Sequence, residues 1–172
     1  MKKSRYINVV EQHGGEVIMT SAGHQTGTDR IVEAAQDIDA DIIVNVQGDE
    51  ALVNPFNKRN SPSDIKAVLN EHDEIMYLSR TDIPSDARVN NPQMLKAYHI
   101  VPFRKDFLLQ YAKWEKTELE KIEFNEYLRI LEKGYKIQAV RVESDAVSVD
   151  TEQDLEFVRG KMKMDKVSQL YL

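Results

Sequence analysis

One stretch, Ile42-Ile43-Val44-Asn45-Val46-Gln47-Gly48-Asp49-Glu50, constrains this chain more than any other. It opens as an apolar, β-branched run, the pattern of a strand covered by helices on both faces. It ends in Gln47, a glycine and two adjacent acids. Ligands of open α/β sheets bind beyond the carboxyl ends of the strands, which puts Asp49 where chemistry is done. Gly48 allows a sharp turn or a close backbone approach to a ligand. A hard carboxylate there suits magnesium, an ion commonly shared with substrate phosphates. The same residues also describe a buried strand followed by an acidic turn that caps the next element.

A chain of 172 residues fits one domain with a real core. Its net charge of −6 argues against a nucleic-acid-binding face, while leaving room for an anionic substrate held by local arginines and a metal. With no cysteine, a disulfide framework and a thiolate metal site are both excluded. No apolar run approaches membrane-spanning length and no signal-peptide pattern opens the chain, so the expectation is a cytoplasmic α/β domain with no membrane partner.

Tyr6, Val9 and Val10 form a short helical stripe that stops at Gly14-Gly15, which predicts a helix lying against a sheet. Residues 16–20 then read as a strand. The next segment, Ser21-Ala22-Gly23-His24-Gln25-Thr26-Gly27-Thr28-Asp29-Arg30, is dense in small polar groups and runs into a helix. Thr28 is the expected N-cap, with Arg30 in the first turn. Such a loop offers many hydrogen bonds to a base or ribose, and it is equally a plain loop-to-helix junction.

Read together, the two stretches "MTSAGHQTGTDR" and "IVNVQGDE" resemble the CMP-Kdo synthetases, cytidylyltransferases that activate 3-deoxy-manno-octulosonate (Kdo). The family pattern is roughly "hQSGTxR" followed by "VNVQGDEP", and "VSVDTEQDLEFVR" downstream resembles its "GVDTPEDLxxVR". The resemblance implies an incomplete doubly wound mixed sheet flanked by helices, spanning residues 1–172 as a single cytidylyltransferase-like domain. It implies attack of the sugar's anomeric hydroxyl on the α-phosphate of CTP, with pyrophosphate leaving. By motif match Asp49 and Asp150 are the catalytic, metal-holding carboxylates for Mg2+. Asp150 also reads as a cap beside Thr151 and Asp154. The same match assigns the nucleotide to His24, Gln25, Thr26, Gly27, Arg30 and Gln47.

Further along, residues 65–69 and 75–79 read as strands around the turn Asn70-Glu71-His72-Asp73, whose histidine is expected in solvent. "YLSRTDIP" resembles the family's "YFSRAxIP", which makes Arg80 the partner of a sugar carboxylate or phosphate; a surface ion pair is the plainer reading. A guanidinium fork pairs bidentately with planar anions. Residues 94–101 read as a strand and 105–114 as a helix. There "KAYHIVPFR" stands against "KHLGIYxYR", so Ala97 occupies the position of a sugar-contacting histidine and His99 lies two residues on. In a strand that shift keeps the face, making His99 a sugar-site candidate beside a packing role.

Thr117 and Glu120 form a capping box opening a helix expected to reach Lys133, with Leu119, Ile122, Leu128 and Leu131 in its buried stripe. "LEKIEFNEYLRIL" resembles "LExIExLEQLRxL", which puts Glu126 on a sugar-hydroxyl acceptor and Tyr127 in place of glutamine. Glu126 and Arg129 also read as an exposed helical pair. The changes at Ala97 and Tyr127 point to Kdo or a related ulosonic acid as acceptor. Residues 137–142 read as a strand before Asp150.

The family's basic loop, roughly "ARxxSxRLPxK", does not occur in this sequence, and after Glu50 the match resumes only near Pro62, which reads as the loss of a segment of about thirty residues. The expectation is a chain lacking a nucleotide-gripping strand and loop, with turnover near background by itself and an exposed edge that invites association, as in a homodimer. The alternative is an inactive homologue that binds a sugar or metal.

Overall fold

The computed structural model describes residues 2–48, 50–53, 64–142, 146–149 and 151–165. Among these, the elements follow as α1 (Lys2–Gln12), α2 (Gly27–Ala35), β1 (Ile42–Val46), β2 (Glu50–Val53), β3 (Lys66–Leu69), β4 (Ile75–Ser79), β5 (Leu95–Lys96) and β6 (Ile100–Arg104). They continue with α3 (Lys105–Tyr111), α4 (Glu118–Glu123), α5 (Leu128–Glu132), β7 (Ala146–Ser148) and α6 (Glu152–Met162). The class is α/β. The described strands pair as β1–β6, β2–β7 and β4–β3–β5, every pair antiparallel.

The core gathers Val32 and Ala35 of α2, Ile65, Ala67 and Leu78 of the β3–β4 hairpin, Phe103, Leu108, Tyr111, Tyr127, Leu128 and Ile130. Phe103 is its aromatic hub, with Tyr111 and Tyr127 at centroid distances of 6.4 and 6.3 Å. Such contacts add to area burial because ring edges and faces carry opposite partial charge.

Several expectations change. The β1 run is not buried on both faces. Asn45 points inward at 4% exposure, while Ile42, Val44 and Val46 are each about half exposed, with Ile100 across the pair. The period-2 alternation of a half-buried strand therefore operates inside an apolar run. Residues 16–20 enter no strand among the described residues, and the Tyr6, Val9 and Val10 stripe of α1 is exposed. Helix α1 does stop at the glycine pair, where Gly14 takes φ +76° and the Gly15 N–H donates to the Val10 carbonyl at 2.9 Å. The N-cap of α2 is Thr26, closed reciprocally with Asp29, while Thr28 is buried in the first turn. Residues 94–101 divide into β5 and β6, and residues 137–142 contribute only a single bridge, Glu74 to Gln138.

The largest departure is the helix after Thr117. It breaks at Phe124, which adopts the left-handed conformation (φ 49°, ψ 43°), and restarts as α5. Ile122 consequently lies 63% exposed instead of joining the buried stripe. Arg129 is buried rather than solvated, donating to the Glu120 carboxylate at 2.7 and 2.5 Å with its guanidinium 4.5 Å from the Tyr111 ring centroid. Burial pulls the arginine pKa down, and the Glu120 hydrogen bonds outweigh it, so the group ends above its ordinary value. No helix among the described residues is long and apolar enough to cross a membrane.

Candidate functional site

The helix break builds the site. With Phe124 turned left-handed, Asn125 and Glu126 leave the helical path before α5 begins. The Asn125 Oδ1 accepts from the Tyr127 N–H at 3.0 Å, a turn that short polar side chains favour. The adjoining cleft, about 520 Å³, is lined by Gln25, Thr26, Gln47, Ile65, Arg80 and His99, and by a run from the α4 region: Lys116, Glu120, Lys121, Phe124, Asn125, Glu126 and Tyr127.

A buried polar network fixes its floor. Thr28 Oγ1 donates to Glu126 Oε1 at 2.8 Å, and Asn45 Nδ2 donates to the Tyr127 hydroxyl at 3.0 Å. The Tyr111 hydroxyl donates to the Glu126 carbonyl at 3.1 Å, and burial raises that phenol's pKa strongly, so it stays a donor. His99 stacks on Tyr127 with centroids 5.5 Å apart and an interplanar angle of 22°. The backbone break between β5 and β6, rather than strand alternation, brings His99 to the cleft. Ala97 instead packs on the core and donates its N–H to the Ile65 carbonyl at 2.8 Å.

Arg80 follows β4 and closes the opposite wall. Its Nε donates to the Glu123 carbonyl at 2.9 Å and its Nη2 to the Phe124 carbonyl at 3.2 Å, so a cation caps the C-terminal end of α4. The Glu123 carboxylate accepts from the Arg80 N–H, the Ser79 hydroxyl and the Tyr77 hydroxyl. Burial pushes the Glu123 pKa up, but those hydrogen bonds and the arginine charge prevail and hold it below its usual value. From beneath, the fully buried Lys66 donates to the Arg80 carbonyl at 3.1 Å and pairs with Asp82 at 3.3 Å.

Of the residues singled out from sequence, Gln25, Thr26, Gln47, Arg80, His99 and Glu126 therefore face one cleft. His24, Gly27 and Arg30 do not line it. His24 Nε2 is in hydrogen-bonding contact with Glu33 Oε2, and that contact, with the Ser21 N–H, lowers the Glu33 pKa. Arg30 donates to the Thr20 hydroxyl and the Ser21 carbonyl, bracing the loop from its exposed side. Gly27 opens α2. Asp49 and Asp150 lie outside the described residues. Among the described residues there is no group of three or more histidine or acidic side chains able to hold a metal. Sequence reasoning missed Lys116, Lys121 and Asn125, though the two lysines flanking the Thr117 capping box were a readable signal.

Comparison with known proteins bears directly on this cleft. Residues 2–60 match the model of a family described as cytidylyltransferase. The 3-deoxy-manno-octulosonate cytidylyltransferase of Trichlorobacter lovleyi is 34% identical, over 92% of this chain and 78% of that protein. The chain belongs to the 3-deoxy-manno-octulosonate cytidylyltransferase family. The corresponding protein of Geobacter metallireducens is 35% identical, over 92% and 77% of the two chains. The fold is that of the family as well. A solved CMP:2-keto-3-deoxy-manno-octonic acid synthetase, complexed with CTP, superposes with a TM-score of 0.83 at 30% identity, covering 92% of this chain and 77% of that one. The family is one of nucleotidyltransferases.

Proposed function

We propose that this protein transfers CMP from CTP to an acidic ulosonic sugar, Kdo or a close relative, with release of pyrophosphate, in the sugar activation that supplies lipopolysaccharide or capsule. The observation that carries the reading is the single cleft in which Gln25, Thr26 and Gln47 meet Arg80, His99 and Glu126. The first three supply amide and hydroxyl groups suited to a nucleotide. On the other side, Arg80 offers a planar fork for the sugar carboxylate and Glu126 an acceptor for a sugar hydroxyl. Holding both reactants in one cleft converts a bimolecular step into an intramolecular one, the larger part of catalysis in such transfers. Lys116 and Lys121 at the rim add positive charge toward an anionic pair of substrates.

Magnesium fits the chemistry of the remaining acids. Those acids are Asp49 and Asp150, assigned by the motif match. Those two hard carboxylates would hold the ion, which when bound offsets phosphate charge. The chain's own residues orient the acceptor: Arg80 fixes the carboxylate, the stacked His99–Tyr127 pair walls the ring, and Glu126 holds a hydroxyl. A cytoplasmic location suits a reaction that draws on CTP.

The test is Kdo-dependent pyrophosphate release from CTP and magnesium, with CMP-Kdo identified by mass. Reactions are run with and without a peptide of the basic "ARxxSxRLPxK" type. Release that requires CTP and Kdo together, greater with the peptide, is expected, and loss of that release in Arg80→Ala places it in this cleft. No Kdo-dependent release in either arm would contradict the proposal.

A further inference from the structure

Among the described residues, two buried polar atoms on side chains that line the cleft have no hydrogen-bond partner: Nδ2 of Asn125 and Oε2 of Glu126. Asn125 is 5% exposed, and both residues line the cleft. The amide orientation is fixed, because Asn125 Oδ1 is the atom that accepts from the Tyr127 N–H. The stranded group is therefore a donor. Glu126 is likewise half used, with Oε1 receiving the Thr28 hydroxyl. Leaving a buried donor and a buried carboxylate oxygen unpaired costs stability with no return in the fold, and such atoms call for an outside partner.

The two atoms demand different things. Nδ2 needs an acceptor and Oε2 needs a donor, on consecutive residues at one end of one cleft. A phosphate or carboxylate offers acceptors alone and would meet the Glu126 charge. A hydroxyl is both donor and acceptor. We infer that Asn125 and Glu126 form a hydroxyl-recognition pair that selects the acceptor sugar, with Asn125 as a specificity-determining contact. This rests on the acceptor reading of the cleft and adds an orientation: the sugar's carboxylate lies toward Arg80 and its polyol toward the Phe124 break. The helix pattern that this stretch resembles has leucine at the place of Asn125, so the pair is a feature of this chain.

The experiment is calorimetric titration of the wild-type chain, Asn125→Leu and Asn125→Asp with Kdo, and with Kdo analogues deoxygenated singly at C4, C5, C7 and C8. Wild type is expected to bind Kdo, and Asn125→Leu to bind it about tenfold more weakly with CTP affinity unchanged. Asn125→Asp, which keeps the shape but loses the donor, should weaken binding at least as much. One deoxy analogue should lose affinity for wild type and little for Asn125→Leu, since the lost hydroxyl and the lost amide are one interaction. Equal Kdo affinity in wild type and both variants would overturn this inference and leave the acceptor reading standing. Wild type that binds CTP but no Kdo would overturn both.

Discussion

Thr28 and Glu126, 98 residues apart in sequence, meet through a hydrogen bond of 2.8 Å from the threonine hydroxyl to Oε1. The contact ties the first turn of α2, whose N-cap Thr26 and neighbour Gln25 line the cleft, to the α4–α5 break on the far side. The two walls of the cleft are thereby set at a fixed separation. Thr28→Val keeps the shape and leaves Oε1 without its donor, at an expected cost of about 1–3 kcal/mol. Urea denaturation measures that loss, and Kdo titration should weaken in the same variant. Unchanged stability and unchanged Kdo binding would mean that the contact positions nothing.

The Arg129–Glu120 pair is the second support of the break. Removing one partner strands a buried charge, so Glu120→Gln and Arg129→Met should each cost about 3–5 kcal/mol. The double variant Glu120→Leu/Arg129→Met should be more stable than either single change, because no charge is left unpaired. A double variant less stable than both singles would contradict this, and chemical denaturation of the three proteins decides it.

Acid should loosen the Arg80 wall in a predictable direction. The folded-state pKa of Glu123 lies below the ordinary carboxylate value of 4.5. The unfolded chain therefore binds the proton more readily, and the carboxylate's contribution is complete above pH 4.5 and lost as pH falls through the folded value. Glu123→Gln lacks that contribution at every pH. The gap in melting temperature between wild type and Glu123→Gln should be widest near neutrality and narrow below pH 4.5. A gap constant from pH 7 to pH 3 would show that the carboxylate charge is not what holds the wall.

The observed cap that Arg80 places on α4 and its proposed hold on the acceptor can be separated. Arg80→Lys keeps a cation but loses the fork that reaches both the Glu123 and Phe124 carbonyls. It should lower the melting temperature modestly and weaken Kdo binding about tenfold or more, since bidentate recognition is lost. Arg80→Lys with wild-type affinity for Kdo would remove the arginine from the acceptor site. Both values come from the same sample by thermal melting and calorimetry.

Much of the lining of the candidate cleft was legible in the sequence because motif and local chemistry coincide there. Gln25, Thr26 and Gln47 lie in loops beside element ends, where side chains reach ligands and short-range signals suffice. Arg80 and Glu126 were legible only through the resemblance, since each alone reads as a surface charge. Three features were not legible for physical reasons. The left-handed turn at Phe124 falls inside an apolar-periodic segment with no glycine, so nothing local announces a break. Exposure of Ile42, Val44 and Val46 depends on what packs against the sheet, which an apolar run does not encode. Arg129 is buried by tertiary pairing with Glu120, and helical spacing alone cannot distinguish that from a solvated pair.

In the proposed complex an acceptor sugar sits between Arg80 and the Phe124 break. The most direct measurement is amide and side-chain chemical-shift mapping of the nitrogen-15-labelled chain titrated with Kdo. Concerted shifts are expected at Arg80 Nε, the Asn125 side-chain amide, Tyr127 and His99, with little change at the exposed stripe of α1. Shifts confined to α1 or to the exposed face of β1, or none at saturating Kdo, would contradict it.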